Sequence, residues 1–444
     1  MKLLNLAEQR RRFDNITYAN SAVKSCMRRH QVHNYIPGQV IYNLGEYPAR
    51  FSIAPTEYDE QLIKSLAEAG VGLIQVHEEW NDAIRVLGAD KYSSHDPKGM
   101  QAFIDLCHKY GIKILPYFST GFFDVRDPDY TNAFDHPKRP TLFSGHFRYT
   151  GCNPASPEWI SYVLEKMKGI MDDYGFDGIY NDMGYPDDAN FIDGYIQNDP
   201  YIEDTLARIY SAVKERNGII KVHQGLCISP KADTKIYDYL WVGESITDIK
   251  ELRRAATFDP YVVPCPDFRF LDGTPQAFFA KTIPFMQFEL RRDGRPVTGE
   301  RAFAPGIEYV NNPINREQEW YEKIKEWHDA HPDGPHVYSS WSAIPDDPAH
   351  RDLWKEYLAL YLPMVEESSH VFIDIDENTI LCGKKPADVI MSLFTNSNCY
   401  LVLSNIGTKS EKITLAEEWI DRRSGKTVRE ITLAPDAIAF LVKP

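Results

Sequence analysis

Several large functional classes leave a plain mark in a sequence, and this one lacks most of those marks. The seven cysteines (Cys26, Cys107, Cys152, Cys227, Cys265, Cys382, Cys399) are scattered, odd in number and never spaced Cys-x-x-Cys. That argues against a disulfide framework or a zinc ribbon and for reduced thiols, with the cytoplasm as the simplest compartment. No run of about 18 apolar residues occurs, so no membrane span is expected. The opening Met-Lys-Leu-Leu-Asn-Leu-Ala-Glu-Gln-Arg is too short in apolar residues for a signal peptide. Basic tracts are sparse, the densest being Arg10-Arg11-Arg12 and then Arg28-Arg29, and the net charge is −15. Such a field repels polyphosphates, so nucleic acid is not an expected partner. No Gly-rich phosphate turn follows the first strand, where Gly45-Glu46-Tyr47-Pro48 stands instead. No cofactor is expected.

What remains is an ordinary folding composition with one emphasis. Hydrophobic residues make up 43% and charged residues 25%, which is enough apolar matter for a packed core. Aromatics reach 13%. Much of that serves the core, but aromatic faces also serve as apolar platforms for sugars.

From about residue 38, short β-branched or aromatic runs alternate with longer amphipathic helical runs, the signature of a parallel β/α architecture. The predicted strands are Gln39–Leu44, Val71–Val76, Ile112–Phe118, Asp177–Asn181, Ile219–His223, Tyr239–Val242, Tyr261–Pro264 and Val337–Trp341. Helices fall between them, three of them stopped by Gly70, Gly111 and Gly175. Eight such strands predict an α/β fold, a (β/α)8 TIM barrel, over 38–367, with inserted loops. A doubly wound open sheet is the rival, and the missing phosphate turn disfavours it. After about 368 the pattern turns to period two with turn signals, predicting a small antiparallel β-sandwich over 368–444. Residues 1–37 read as a helical segment packed on the barrel.

In a barrel the chemistry sits where strands end and loops begin. Here the strand ends collect carboxylates, amides and imidazoles: His77-Glu78-Glu79-Trp80 after strand two, Tyr117 on strand three, Asn181-Asp182 on strand four, His223-Gln224 on strand five, Glu244 after strand six and Asp267 after strand seven. Asp182, in Gly-Phe-Asp-Gly-Ile-Tyr-Asn-Asp-Met-Gly at 175–184, and Glu244, in Leu-Trp-Val-Gly-Glu-Ser at 240–245, are the two catalytic candidates. Each has a plainer reading, Asp182 as a strand-end cap and Glu244 as balance for the following helix. Two carboxylates across a barrel mouth suit glycosidic cleavage, one as nucleophile and a more desolvated one kept protonated as acid.

The 175–184 run, a glutamate on strand six and a β-domain behind the barrel together resemble retaining α-glycoside hydrolases of the α-galactosidase and dextranase kind. That resemblance is architectural over about 38–444 and motif-specific around 175–184 and 237–245. It implies a nucleophilic aspartate after strand four, here Asp182, and an acidic acid/base residue on a later strand, here Glu244. The α-galactosidase signature around the nucleophile is absent, since Tyr180-Asn181 precede Asp182.

The other mouth residues are expected to bind substrate, against plainer alternatives. His77 and Glu78 hold sugar hydroxyls or form a buried ion-pair network. His223 and Gln224 bind hydroxyls or form a satisfied core pair. Tyr117 and Asn181 count among the ligands by position. Asp267 is a hydroxyl clamp or alternative acid, unless Arg269 neutralises it, and Trp341 is a stacking platform or core. The aromatic loop 121–156 is a lid, or more safely a small hydrophobic core of its own. Two other functions stand behind the glycosidase. A metal-dependent barrel hydrolase would carry His-x-His after strand one, where Tyr42-Asn43-Leu44 lies. A non-catalytic carbohydrate-binding barrel would not need both acids. The expected partner is an oligosaccharide or glycoside, with exposed aromatics of the β-domain offering a surface for a homo-oligomer.

Overall fold

The structure is a computed structural model. It describes residues 4–45, 52–81, 92–125, 127–137, 142–144, 147–182, 200–223, 237–242, 248–249, 260–266, 271–295, 316, 321–330 and 347–444. By their contacts these fall into two compact units, Gln39–Trp241 with Arg291–Asp346, and Met1–Gly38 with Val242–Leu290 and Asp347–Pro444. In this partition 242–290 and 347–367 group with the residues of the C-terminal sheet.

The first unit holds a run of parallel strands. Arg291–Gly294 pairs with strand one (Gln39–Asn43), which pairs with strand two (Leu73–Gln75), which pairs with the first part of strand three (Lys113–Leu115). Pro116 has no N–H to give and splits strand three. The second part, Tyr117–Ser119, pairs with strand four (Gly178–Asp182), and strands five (Ile219–His223) and six (Tyr239–Val242) follow in order. In the other unit, the expected strand seven appears as Val262–Pro264. There the Cys265 N–H donates to the carbonyl of Val242, the last residue of strand six, and Leu290, immediately before Arg291, donates to Pro264. This is the strand order of a (β/α)8 barrel.

Strand eight is a correction. The expected Val337–Trp341 lies outside the described residues, and the strand that pairs with strand one is Arg291–Gly294. Its Arg-Arg-Asp-Gly sequence has no β-branched or aromatic residue, so pattern reading passes over it as a turn. All four residues are nevertheless buried. Arg295 latches this closure. Its guanidinium contacts both oxygens of Asp59, at 2.9–3.2 Å, and carbonyls of Leu44, Ser52, Ile53 and Ala54. Asp59 also caps helix Glu57–Glu68 with Thr56 and accepts from the Tyr42 hydroxyl at 2.7 Å. Burial alone would raise the Asp59 carboxyl, but hydrogen bonds from Arg295, the Thr56 backbone and Tyr42 outweigh it and hold it below the usual carboxylate range.

The loop expected as a lid forms a small antiparallel sheet of Phe122–Asp124, Phe147–Gly151 and Leu142–Ser144. Phe123 and Phe134 pack edge-on against Trp159 of the next helix, with ring centroids 5.7 and 5.2 Å from it. The segment carries its own apolar core, the safer of the two expectations.

In the second unit, seven antiparallel strands form one sheet in the order 23–33, 369–378, 389–395, 399–405, 438–442, 411–421, 427–433. Residues 1–37 therefore differ from a purely helical segment. Helix Leu6–Ala22 is followed by Val23–His33, an edge strand of this sheet. Leu393, Leu401 and Leu403 from the sheet's middle share one core with Ile413, Leu415 and Trp419 from its far end, so the sheet curls on itself. Strand Val389–Thr395 is buried on both faces. Val389, Met391 and Leu393 enter that core, while Ser392 on the other face donates to the Pro284 carbonyl and Phe394 packs against Tyr361.

Candidate functional site

Strand four places the site, and a glycine sets its register. Gly178 has φ +147°, and a Cβ there would sit 1.8 Å from the Ile219 carbonyl oxygen. Only glycine lets strands four and five approach this closely. From the pairs Gly178↔Ile219 and Asn181↔Val222, the next step brings Asp182 alongside His223 at the strands' C-terminal ends.

The two side chains meet. His223 Nδ1 is hydrogen bonded to Asp182 Oδ1, with both side chains only 13–16% exposed. The Tyr180 hydroxyl, two residues before and so on the same face, lies 3.4 Å from that same oxygen. The His223 ring stacks on Trp241 of strand six at 4.2 Å between centroids. Trp241 is itself edge-on to Tyr180 and His77, at 5.0 and 5.7 Å. Tyr117 closes the group against Tyr180 at 6.1 Å. Trp80 anchors strand three from outside this cluster by donating its indole N–H to the Tyr117 carbonyl at 3.1 Å.

Below this aromatic floor the barrel stays polar. Gln75 Nε2 lies 3.0 Å from His77 Nε2. The fully buried Lys221 reaches from strand five across to Gln39 of strand one, Nζ to Oε1 at 3.1 Å. A packed barrel interior is usually branched aliphatic. An amine and two amides in its place are costly to bury and must be held by hydrogen bonds.

Of the predicted site residues, the structure brings together Asp182, His223, His77 and Tyr117. Asn181 is a correction. It is fully buried on the opposite face of strand four, with its amide 3.2 Å from the Thr120 hydroxyl, so it faces away from Asp182. Glu244, Gln224, Asp267 and Trp341 lie outside the described residues, as does the side chain of Glu78. Tyr180, Trp241 and Lys221 were missed. Register was the available signal, since parallel pairing puts Tyr180, Lys221 and Tyr239 in one row and their i+2 neighbours in the next. Among the described residues no group of three or more His, Cys, Asp or Glu is placed to hold a metal ion, and no helix is long and apolar enough to cross a membrane.

No family model matches the sequence, and no curated protein matches it. Solved structures do. The chain is similar to the maltogenic α-amylase AmyB from Thermotoga neapolitana, at 11% identity and a TM-score of 0.58, over 92% of this chain and 99% of that one. It is also similar to the α-glucosyl transfer enzyme XgtA, at 11% identity and a TM-score of 0.57, over the same 92% and 99%. A family GH13_31 enzyme matches at 13% identity and a TM-score of 0.56, over 93% of this chain and all of that one. The chain has the fold of the α-amylase barrels. The narrower likeness to α-galactosidases and dextranases is not supported by these structures.

Proposed function

We propose that the chain is a retaining glycosidase acting on an α-linked oligosaccharide, with α-glucosides as the substrate class. The observation that carries this reading is a partly buried aspartate, Asp182, at the C-terminal end of strand four, hydrogen bonded to His223 and set over a floor of Tyr180, Trp241 and His77. The Asp182 side chain stays partly exposed at the C-terminal end of strand four, the end of a barrel where chemistry is done. The fold shared with an α-amylase and an α-glucosyl transfer enzyme favours glucosides over galactosides.

In this mechanism an Asp182 oxygen attacks the anomeric carbon as the bond to the leaving oxygen breaks and Glu244 protonates that oxygen. Glu244 then takes a proton from water, whose oxygen displaces Asp182 and frees the sugar with its original configuration. His77 and Tyr117 are assigned to the substrate floor, and Gln224, Glu78, Asp267 and Trp341 to the surrounding subsites.

The test is turnover of an aryl α-glucoside and of short α-linked glucans, with the product anomer read by NMR. Asp182→Asn should lower kcat at least about 1,000-fold, the order expected on losing a covalent nucleophile, with unchanged melting. Full activity in that variant, or an inverted product, refutes the reading.

A further inference from the structure

Strand five ends in an imidazole, and that imidazole is not aimed at open space. Its Nδ1 is bonded to Asp182 Oδ1, the oxygen Tyr180 also approaches. A nucleophilic carboxylate is ionised and only accepts, so in the glycosidase reading Nδ1 carries the proton. The ring is held by stacking on Trp241 at an interplanar angle of 29°, and the strand register fixes the backbone beneath it. Among the described residues, Tyr180 from strand four and Trp241 from strand six lie against the pair, and His77 from the loop after strand two packs on both of those rings. His223 is thus immobilised on the nucleophile side of the site, where a hydroxyl ligand would leave Nδ1 for sugar.

Resting on the glycosidase reading, we propose that His223 is the positioning residue of Asp182. Its N–H holds Oδ1, and the attack on the anomeric carbon is assigned to Oδ2. In the second step Asp182 must depart as a carboxylate, and a fixed donor at Oδ1 stabilises the charge that returns to it. A donor so placed slightly weakens the attacking oxygen and strongly assists the leaving one. Breakdown of the glycosyl-enzyme therefore depends on His223 more than its formation does.

The experiment compares His223→Phe, which keeps a ring on Trp241 without the donor, with His223→Asn, which returns an amide N–H near the place of Nδ1. With an aryl α-glucoside bearing a good leaving group, His223→Phe should lose on the order of 100-fold in kcat, similar to the removal of one fixed oxyanion donor. KM should fall with it, and a burst of aryl alcohol should precede the slow steady state. His223→Asn should recover part of the loss. A raised KM with kcat unchanged would make His223 a hydroxyl ligand and overturn the proposal, as would an equal loss in both variants without a burst. If the parent protein cleaves no α-glycoside, the glycosidase reading fails by itself. The pair is then read by NMR. A downfield Nδ1–H resonance of His223 that vanishes in Asp182→Ala supports the positioning role, and its absence from the parent refutes it.

Discussion

The inner wall of the barrel and the core of the C-terminal sheet are both buried, yet they are built from opposite materials. The sheet's core is aliphatic with one large aromatic: Leu393, Leu401, Leu403, Ile413, Leu415 and Trp419. The barrel wall holds Gln39, Gln75, His77, Tyr117, Tyr180, Lys221 and Trp241, all nearly inaccessible to solvent. Apolar burial contributes stability in proportion to area, and any residue of fitting volume will do. Buried polar groups bring no such return unless fully bonded. A chain that spends its barrel on them is organising positions rather than maximising stability, and the Asp182–His223 pair sits at the top of that wall, where barrel chemistry is done. The sheet holds the unit together; the barrel wall holds atoms in place.

The largest expected effect tests the first half of this contrast. Trp419 is completely buried among the curled sheet's aliphatics. Trp419→Ala should cost about 3–5 kcal/mol, as large-to-small changes do in a close-packed core. Chemical denaturation of parent and variant measures this directly. A loss below about 1 kcal/mol would mean the core collapses around the gap, and the sheet would not be the rigid element claimed.

A smaller effect of different form is expected in the barrel wall. Lys221→Met removes the amine that reaches the Gln39 side-chain oxygen, and Gln39→Leu removes that acceptor from the amine. Each single change should cost about 1–3 kcal/mol, the penalty of an unmet buried polar group. The double change, two apolar residues of similar volume, should cost less than either alone. Strict additivity in this cycle would show that the pair is not a unit, and that the wall's polarity is a collection of unrelated residues.

How much of this was legible in the sequence follows the same division. The sheet's strands announce themselves by period two, and the antiparallel strands expected after about 368 are present, among them Val389–Thr395, Cys399–Asn405 and Ile438–Val442. Barrel strands one to seven also stood out, because β-branched and aromatic runs after helix-stopping glycines leave few alternatives. Strand eight did not, since Arg-Arg-Asp-Gly becomes a strand only through pairing with Gln39–Asn43 and through the Arg295 latch on Asp59. Both are contacts across about 240 residues that no local pattern encodes. The site divides likewise. Asp182 and His223 were found as strand ends, whereas their pairing and the inward turn of Lys221 depend on the register set at Gly178. Asn181 was misplaced by one step of that alternation.

Acid should sharpen the comparison last, with the mildest effect. His370 in the second unit is buried beside Met286 and stacked on Phe394, and burial pushes its imidazole down to about 3 from 6.5, the nearby Arg12 and His33 adding to this. The unfolded chain binds this proton below about pH 6.5 while the folded one refuses it, so stability is intact above that pH and declines as pH falls toward 3. Between pH 7 and 5 the loss should be about 2 kcal/mol, present in the parent and missing from His370→Phe. The barrel's Asp59 has its own window. Its carboxyl is depressed in the folded state, so its contribution is complete above the ordinary carboxylate value of about 4 and disappears only as pH drops further. Urea denaturation at pH 7, 5 and 4 should therefore show parent and His370→Phe diverging by pH 5, while Asp59→Asn stays at a constant offset from the parent over that range. If His370→Phe tracked the parent at every pH, the imidazole would be reaching solvent or a counter-ion, and the sheet's core would be less closed to charge than the barrel wall it is contrasted with.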